Sequence, residues 1–316
     1  MPILTIVILQ YRPDAGALRR TLASLAMQDT RDFSVVLGDD GSATDYFAES
    51  RAYLAAHGIT DVQTVKLTPN GGTVKNAQNA VRTAATRWVL MLSPGDFLYD
   101  ATTVSWWLGR LQADAPRVAF GKQAYYAPGD DPRPVPGQTP FDRDAYDPAH
   151  YDAKAIRRNV LLYDDGICGT GVVYERELFL AALDKMAGHV RLAEDFALRL
   201  FAVQGVRLTR YDRVVVWYEY GGGVSTDAAA RTRMLGEWRA MLEVLRAEFP
   251  QDKTVRLAYE YFFNDRRKSR LVRGLVGRLI VPQNCAFKKA QRAWQPPTNG
   301  DKATLEAIYE FAARPL

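Results

Sequence analysis

The chain has 316 residues, 47% of them hydrophobic and 24% charged, the composition of a folded globular protein rather than a disordered or collagenous one. Its formal net charge is +5, and no apolar stretch approaches the roughly 18 residues that a bilayer-crossing helix needs. Two distant cysteines, Cys168 and Cys285, and three separate histidines, His57, His150 and His189, argue against a disulfide scaffold and a histidine metal cage and fit a reducing cytoplasm.

The apolar run 3–9 reads as a first buried strand, too short and too poor in preceding basic residues for a signal peptide. Residues 14–28 read as a helix, with Leu18, Leu22 and Leu25 at three- and four-residue spacing. A strand at 33–37, a helix at 44–57 stopped by Gly58, and a strand at 62–67 follow. Then come the turn Pro69-Asn70-Gly71-Gly72, a helix at 73–85, a strand at 88–92, a helix at 101–113 and a strand at 118–120. Strands alternating with helices predict right-handed crossovers and a mainly parallel sheet. Residues 127–151 carry six prolines and no apolar period, the pattern of a long surface loop of the lid or binding type. Beyond it the sequence predicts a helix at 153–159, a glycine-bearing turn at 166–171, a strand at 172–174 and helices at 177–186 and 194–203. Strands at 207–209 and 214–218 come next, then a flexible loop at 221–223. From about 227 only helices are expected, at 231–249, 252–263 and 268–280. The chain thus divides into an α/β domain, 1–226, and a helical C-terminal region, 227–316.

Three short acidic motifs carry most of the chemistry. Gly38-Asp39-Asp40-Gly41-Ser42 follows the second strand, Ser93-Pro94-Gly95-Asp96 follows the fourth, and Glu194-Asp195-Phe196 opens a helical pattern. Carboxylates at the carboxyl ends of buried strands face the crevice where such sheets bind ligands. An acidic crevice in a basic protein suggests a cation and, through it, a phosphate ligand.

With Thr5-Ile6-Val7-Ile8-Leu9-Gln10-Tyr11-Arg12 in the first strand and Gly169-Thr170-Gly171-Val172-Val173-Tyr174-Glu175-Arg176-Glu177 further on, these motifs resemble the family 2 glycosyltransferases of the GT-A fold over roughly residues 3–225. The resemblance implies inverting transfer of a sugar from a nucleotide sugar to a glycan or lipid-linked acceptor, in bacterial surface polysaccharide synthesis, with Mn2+ or Mg2+. Two departures stand out. The metal motif keeps one carboxylate, Asp96, where the family commonly has two or three. Lys75-Asn76-Ala77-Gln78-Asn79 stands where an Arg-Asn pair is common, so Lys75 or Asn79 takes that place.

Within that reading Asp96 ligates the cation, the diphosphate and waters completing its shell, and Gly95 is a donor-binding position beside it. Asp39 and Asp40 face the nucleobase, chiefly through Asp40, whose charge accepts a uracil imide N–H and favours a UDP or dTDP donor. Tyr11 flanks the base, Lys75 and Arg231 are phosphate partners, and the loop from Tyr218 to Ser225 closes over the diphosphate. Asp195 is the general base, kept ionised by a helix start, and Glu194 orients it or holds the acceptor. Gly169, Thr170 and Gly171 let the backbone approach the acceptor sugar. Each motif also has a plainer reading. Pro94-Gly95-Asp96 is good turn chemistry, Asp39 to Ser42 suits a helix cap, acids suit any first helical turn, and Gly169 to Gly171 suits a tight turn.

Residues 266–292 carry nine Lys/Arg and no Asp/Glu, with Leu271, Val272, Leu275, Val276, Leu279 and Ile280 at helical spacing. Such a helix suits an anionic membrane surface, a stripe packed on the catalytic domain, or a homodimer contact. A cytoplasmic protein, peripheral on the inner membrane face, is the matching location. No nucleic-acid module is recognisable, so no nucleic-acid partner is expected. The alternative function is a non-catalytic carbohydrate-binding or scaffold protein on a degenerate GT-A fold. A nucleotidyltransferase ranks below it, because no glycine-rich, basic triphosphate loop accompanies the first strand.

Overall fold

The computed structural model describes residues 1–221, 230–263, 275, 278–279 and 281–315. The expected loop beyond Gly221, the Arg231 side chain and most of the expected helix at 268–280 lie outside the described residues.

A nine-stranded sheet forms the centre, in the order β3-β2-β1-β4-β8-β6-β9-β5, with β7 beside β6. The strands are β1 (Leu4–Gln10), β2 (Ser34–Asp39), β3 (Val62–Lys66), β4 (Trp88–Leu92), β5 (Phe97–Leu98), β6 (Val118–Ala127), β7 (Arg133–Val135), β8 (Val173–Glu175) and β9 (Leu208–Glu219). The half β3-β2-β1-β4 is parallel throughout, as the alternating sequence predicts. Beyond it β8 runs antiparallel to both β4 and β6, while β6 and β9 are parallel.

β1 is buried at every residue because both faces of the sheet are covered. Its side chains alternate between two cores. Leu4, Ile6 and Ile8 join Leu18 and Leu22 of α1 (Ala15–Ala26), Leu54 of α2 (Phe47–Ala56) and Trp107 of α4 (Thr103–Asp114). Val7 and Leu9 join Val74 and Val81 of α3 (Thr73–Thr83), Phe179 of α6 (Arg176–Met186) and Phe201 of α7 (Ala197–Gln204). Asp14 caps α1, its carboxylate accepting the Ala17 N–H at 2.8 Å.

Several elements depart from the sequence reading. The strand expected at 118–120 runs on to Ala127. The two strands expected at 207–209 and 214–218 are one, β9, paired with that longer β6 across a register shift near Lys122. The polar stretch between the two expected strands bulges out, 211–213 lying between the Phe120–Arg210 and Lys122–Val214 pairs, and its charges are answered at the surface: Lys122 lies 2.8 Å from Asp212, and Arg213 lies 3.1 Å from Asp100. The long loop contains β7. The helix expected at 153–159 is α5 (Ala153–Arg158), continued by a wide turn at Asn159–Tyr163. The helix expected at 194–203 opens with a single 3-10 turn, Glu194–Phe196, before α7.

The C-terminal helices are α8 (Ala230–Glu248), α9 (Lys253–Phe263), α10 (Asn284–Ala293) and α11 (Lys302–Ala313). Trp238, Met241, Leu242 and Leu245 of α8 enter the same core as α6 and α7. The sequence reading did not anticipate α11, which returns to the sheet. Leu305 and Ile308 bury against Phe97, Tyr126 and Trp217, and the Trp217 indole N–H donates to Thr304 Oγ1 at 3.2 Å. Leu305→Ala is expected to cost about 2–5 kcal/mol, read from chemical denaturation, because Leu305 is fully buried.

Candidate active site

Parallel pairing aligns the carboxyl ends of β2, β1 and β4, Gln10 standing opposite Asp39 and Ile8 opposite Leu92. The acidic motifs therefore emerge side by side. Asp39 and Asp40 are both buried. Asp39 Oδ1 accepts the Ser42 N–H at 2.6 Å, and its Oδ2 takes a long 3.3 Å bond from Gln10 Nε2. Asp40 is more fully engaged. Its oxygens accept the Gly71 N–H at 2.7 Å, the Gly72 N–H at 2.9 Å and the Asn70 side-chain amide at 2.8 Å. Asn70 in turn accepts from Arg191 at 2.5 Å, and the Arg191 and Leu192 N–H groups donate to Glu237 of α8 at 2.7 and 2.9 Å. Tyr11 is 44% exposed, with the Arg12 guanidinium 5.0 Å from its ring centre, and the Arg12 N–H donates to Ser42 Oγ. Lys75 is exposed on α3, and Asn79 lies one turn further along. The buried polar side chain of that stretch is Asn76, which donates to Gly38 O at 3.0 Å.

Asp96 is 7% exposed, and its Oδ1 accepts the Glu219 N–H at 3.1 Å. Burial pushes its carboxyl up to about 7; the Glu219 N–H and the Thr170 hydroxyl pull it down, and the Glu219 carboxylate pushes it up. Gly95 has φ +98°, and a Cβ there would stand 2.6 Å from Glu219 Oε2, so the turn needs glycine. Tyr126 OH donates to Gly95 O at 2.6 Å and lies 3.1 Å from Glu219 Oε2, while Arg20 of α1 lies 3.7 Å from the same oxygen.

Thr170 and Gly169 join Asp96 to the second acidic pair. Gln123 Nε2 donates to Cys168 O and Thr170 O, fixing the segment, and a Cβ on Gly169 would stand 2.7 Å from the Asp195 Cβ. Gly171 N–H donates to Met91 O, continuing the β4 pairing. Burial pushes Glu194 up to about 8, with the Asp195 charge adding to it. Burial also raises Asp195, against the helix-start expectation of a freely ionised group, and the opposing pull comes from Arg199. Arg199 lies 3.9 Å over Phe196 and 4.6 Å over Trp238. Burial raises both members of the pair, and Arg199 favours the charged form at Asp195. Cys168 lies between the two acidic sites and is raised by burial and by the charges of Asp96, Asp195 and Glu194.

The structure thus brings Asp96, Thr170, Gly169, Asp195 and Glu194 into one cleft, with Asp39, Asp40 and Tyr11 at the neighbouring strand ends. Sequence reasoning did not assign Glu219, Arg20 or Arg199. Arg199 carried a signal, since it stands four residues after Asp195 on one helical face. Glu219 and Arg20 lie on β9 and α1, far apart in sequence, and only the folded chain joins them.

The oxygen donors around Asp96 fit a hard divalent cation. The Thr170 hydroxyl is buried beside the Asp96 carboxyl. Among the described residues no three His, Cys, Asp or Glu side chains converge.

The glycosyl transferase family 2 model matches residues 5–180, more than half of the chain. The chain belongs to that family. Its fold resembles that of S. aureus TarS, at 16% identity and a TM-score of 0.52, covering 90% of this chain and 54% of TarS. The chain thus spans about half the length of that protein. The 1–349 portion of TarS in complex with UDP-GlcNAc matches at 15% identity and a TM-score of 0.51, covering 98% of this chain and 91% of that portion. The mannosyltransferase PcManGT from Pyrobaculum calidifontis, in complex with GDP-Man and Mn2+, matches at 16% identity and a TM-score of 0.55, covering 98% and 85%. No curated protein matches the chain.

Asp96 and Glu194 have ordinary values of 3.8 and 4.5, so the folded state binds more protons than the unfolded chain between those values and about 7 and about 8. The stability that these two groups contribute is therefore fully present below about pH 4 and is lost as pH rises through about 7 and about 8. Urea midpoints of the nucleotide-free protein are expected to drop between about pH 5 and 8, and Asp96→Asn is expected to flatten part of that slope.

Proposed function

We propose that this family 2 protein is an inverting glycosyltransferase that moves a sugar from a nucleotide sugar, with UDP as the carrier, to a glycan or lipid-linked acceptor of a surface polysaccharide. The observation that carries this reading is the placement of Asp96 and Asp195 in one cleft, on either side of Gly169 and Thr170.

The cleft supplies what transfer needs. Asp39 and Asp40 meet the nucleobase; Asp39 holds the weaker internal bond and has more acceptor capacity for an imide N–H, while Asp40 fixes the loop at 70–72. Tyr11 offers an exposed ring beside them. Lys75 and Asn79 line the approach of the diphosphate from α3. Asp96 would hold Mn2+ or Mg2+, and a bound cation neutralises the charge that develops on the departing diphosphate. Asp195 takes the acceptor hydroxyl proton, with Arg199 favouring its charged form beforehand. Glu194, raised by burial and by the Asp195 charge, holds the acceptor or steadies Asp195. Gly169, Thr170 and Gly171 form the wall against which the acceptor lies.

Residues 1–226 form the GT-A unit in this reading, and 227–316 a region suited to a membrane surface or a second copy. Exposed Leu275 and Leu279 beside Arg278 support a peripheral contact, and among the described residues no helix is long and apolar enough to cross a membrane. Paired buried carboxylates, costly to keep without use, favour the enzyme over a non-catalytic carbohydrate-binding relative.

Calorimetric titration of UDP, GDP and dTDP, with and without Mn2+, tests the donor. UDP is expected to bind only with the metal, and Asp96→Ala to weaken that binding at least about tenfold. Binding of UDP unchanged by Asp96→Ala would remove Asp96 from its role. Asp195→Asn is expected to keep UDP binding and to lower UDP release from UDP-sugars in the presence of acceptor by about 10²–10⁴. Retained release would dismiss Asp195 as the base.

A further inference from the structure

The positive charge of the chain is gathered in one stretch. Residues 266–292 carry nine Lys/Arg and no Asp/Glu. α10 closes that stretch and has two unlike stripes. On one, Asn284 is buried, and Phe287 packs against Phe141 at 5.3 Å and against Tyr163 at 4.5 Å between ring centres. On the other, Cys285, Lys289 and Arg292 follow one another at four- and three-residue spacing, and all are exposed. Elsewhere on the surface basic groups meet acids: Arg82 lies 2.6 Å from Asp184, Arg117 2.8 Å from Glu175 and Lys302 3.2 Å from Glu306. Among the described residues Arg278, Lys288, Lys289 and Arg292 have no ion pair. The same stretch bears uncovered apolar groups. Leu279 at 75% and Leu275 at 63% are, after Met1, the most exposed large apolar side chains among the described residues. They stand four residues apart, the spacing of one helical face, with Arg278 exposed beside them.

Unpaired cations and bare leucines together choose the partner. In a closed dimer a second copy meets such a surface with the same surface, so like charges without acids would oppose one another. A nucleic acid answers the cations but gives the leucines nothing to enter, and the described residues of 275–293 present no exposed ring on which bases could stack. An anionic bilayer supplies both needs, phosphate headgroups at its surface and hydrocarbon just below. The place of the surface suits the reaction as well. Phe141, on which α10 packs, stands two residues after Thr139, whose hydroxyl accepts the Cys168 N–H at 3.3 Å, and Cys168 adjoins Gly169 of the cleft.

We infer that the surface bearing Leu275, Arg278, Leu279, Lys289 and Arg292 docks the protein on a bilayer that carries anionic lipid headgroups. The cations meet the headgroup phosphates, and the two leucines enter the boundary beneath them. The inference rests on the proposed reading of 227–316 as a contact region and decides between the membrane and the second copy. An enzyme held this way meets a lipid-linked acceptor at the bilayer itself.

The test is flotation of the full chain with vesicles of phosphatidylcholine alone and of phosphatidylcholine with about 30 mol% phosphatidylglycerol. Binding is expected on the anionic vesicles only. Two double variants at exposed positions, Leu275→Ser with Leu279→Ser and Lys289→Gln with Arg292→Gln, are each expected to weaken it about tenfold, with unchanged thermal midpoints and unchanged UDP binding. No binding to anionic vesicles, equal binding to both vesicles, or binding that either double variant leaves unchanged overturns the inference, while UDP binding keeps the enzyme reading intact. A dimer in light scattering that Leu275→Ser with Leu279→Ser dissolves, in a protein that binds no vesicle, overturns it and assigns the surface to a second copy. Variant-sensitive binding to anionic vesicles in a protein that binds no nucleotide supports the docking surface and removes the nucleotide-sugar reading.

Discussion

The register of β1 between β2 and β4 is the constraint on which the cleft depends. Parallel pairing sets Gln10 beside Asp39 and Ile8 beside Leu92, so the turns that follow β1, β2 and β4 emerge at one edge. A one-residue slip would turn every side chain of β1 to the opposite face. Two distinct cores, one on each face, forbid it. The acidic groups are near one another because hydrophobic side chains far below them fit only one way.

Those acids are costly to bury, and the fold answers the pair Asp96 and Glu219, and the pair Glu194 and Asp195, with one arginine each. Arg20 lies beside Glu219, next to Asp96, and Arg199 faces Asp195. Both guanidinium groups rest on aromatic rings. Arg20 stands 4.8 Å from the Tyr309 ring centre, and Arg199 stands 4.6 Å from that of Trp238. Flat stacking suits a guanidinium, which is weakly hydrated, and leaves its edge N–H groups for carboxylates.

The sequence made the parallel half of the sheet legible, because apolar runs at 3–9, 33–37 and 88–92 alternate with helical periods, and the second and third end in acidic turns. Asp96 could be singled out for that reason, and Asp195 because Glu194-Asp195-Phe196 opens a helical pattern. What could not be read depended on contacts between distant segments. β5 has two residues and exists only through its pairing with β9. The polar residues 210–213 looked like a break, yet 211–213 only bulge out within one strand. The bonds from Asn70 and Gly71 to Asp40 follow from the placement of a loop, which no local pattern encodes. α11 has an ordinary apolar period, and nothing local shows that it docks beside Trp217.

Tyr309 belongs to α11 and Trp238 to α8, so each arginine rests in part on a C-terminal helix, outside the span matched by the family model, Arg199 also lying over Phe196. The helices that look like an appendage thereby share in setting the proton affinity of the cleft. Grafting the tail of another family member onto this α/β core would change more than its surface: it would retune the acidity of the groups that the chemistry uses. Within such a family, tail and core are bound to change together.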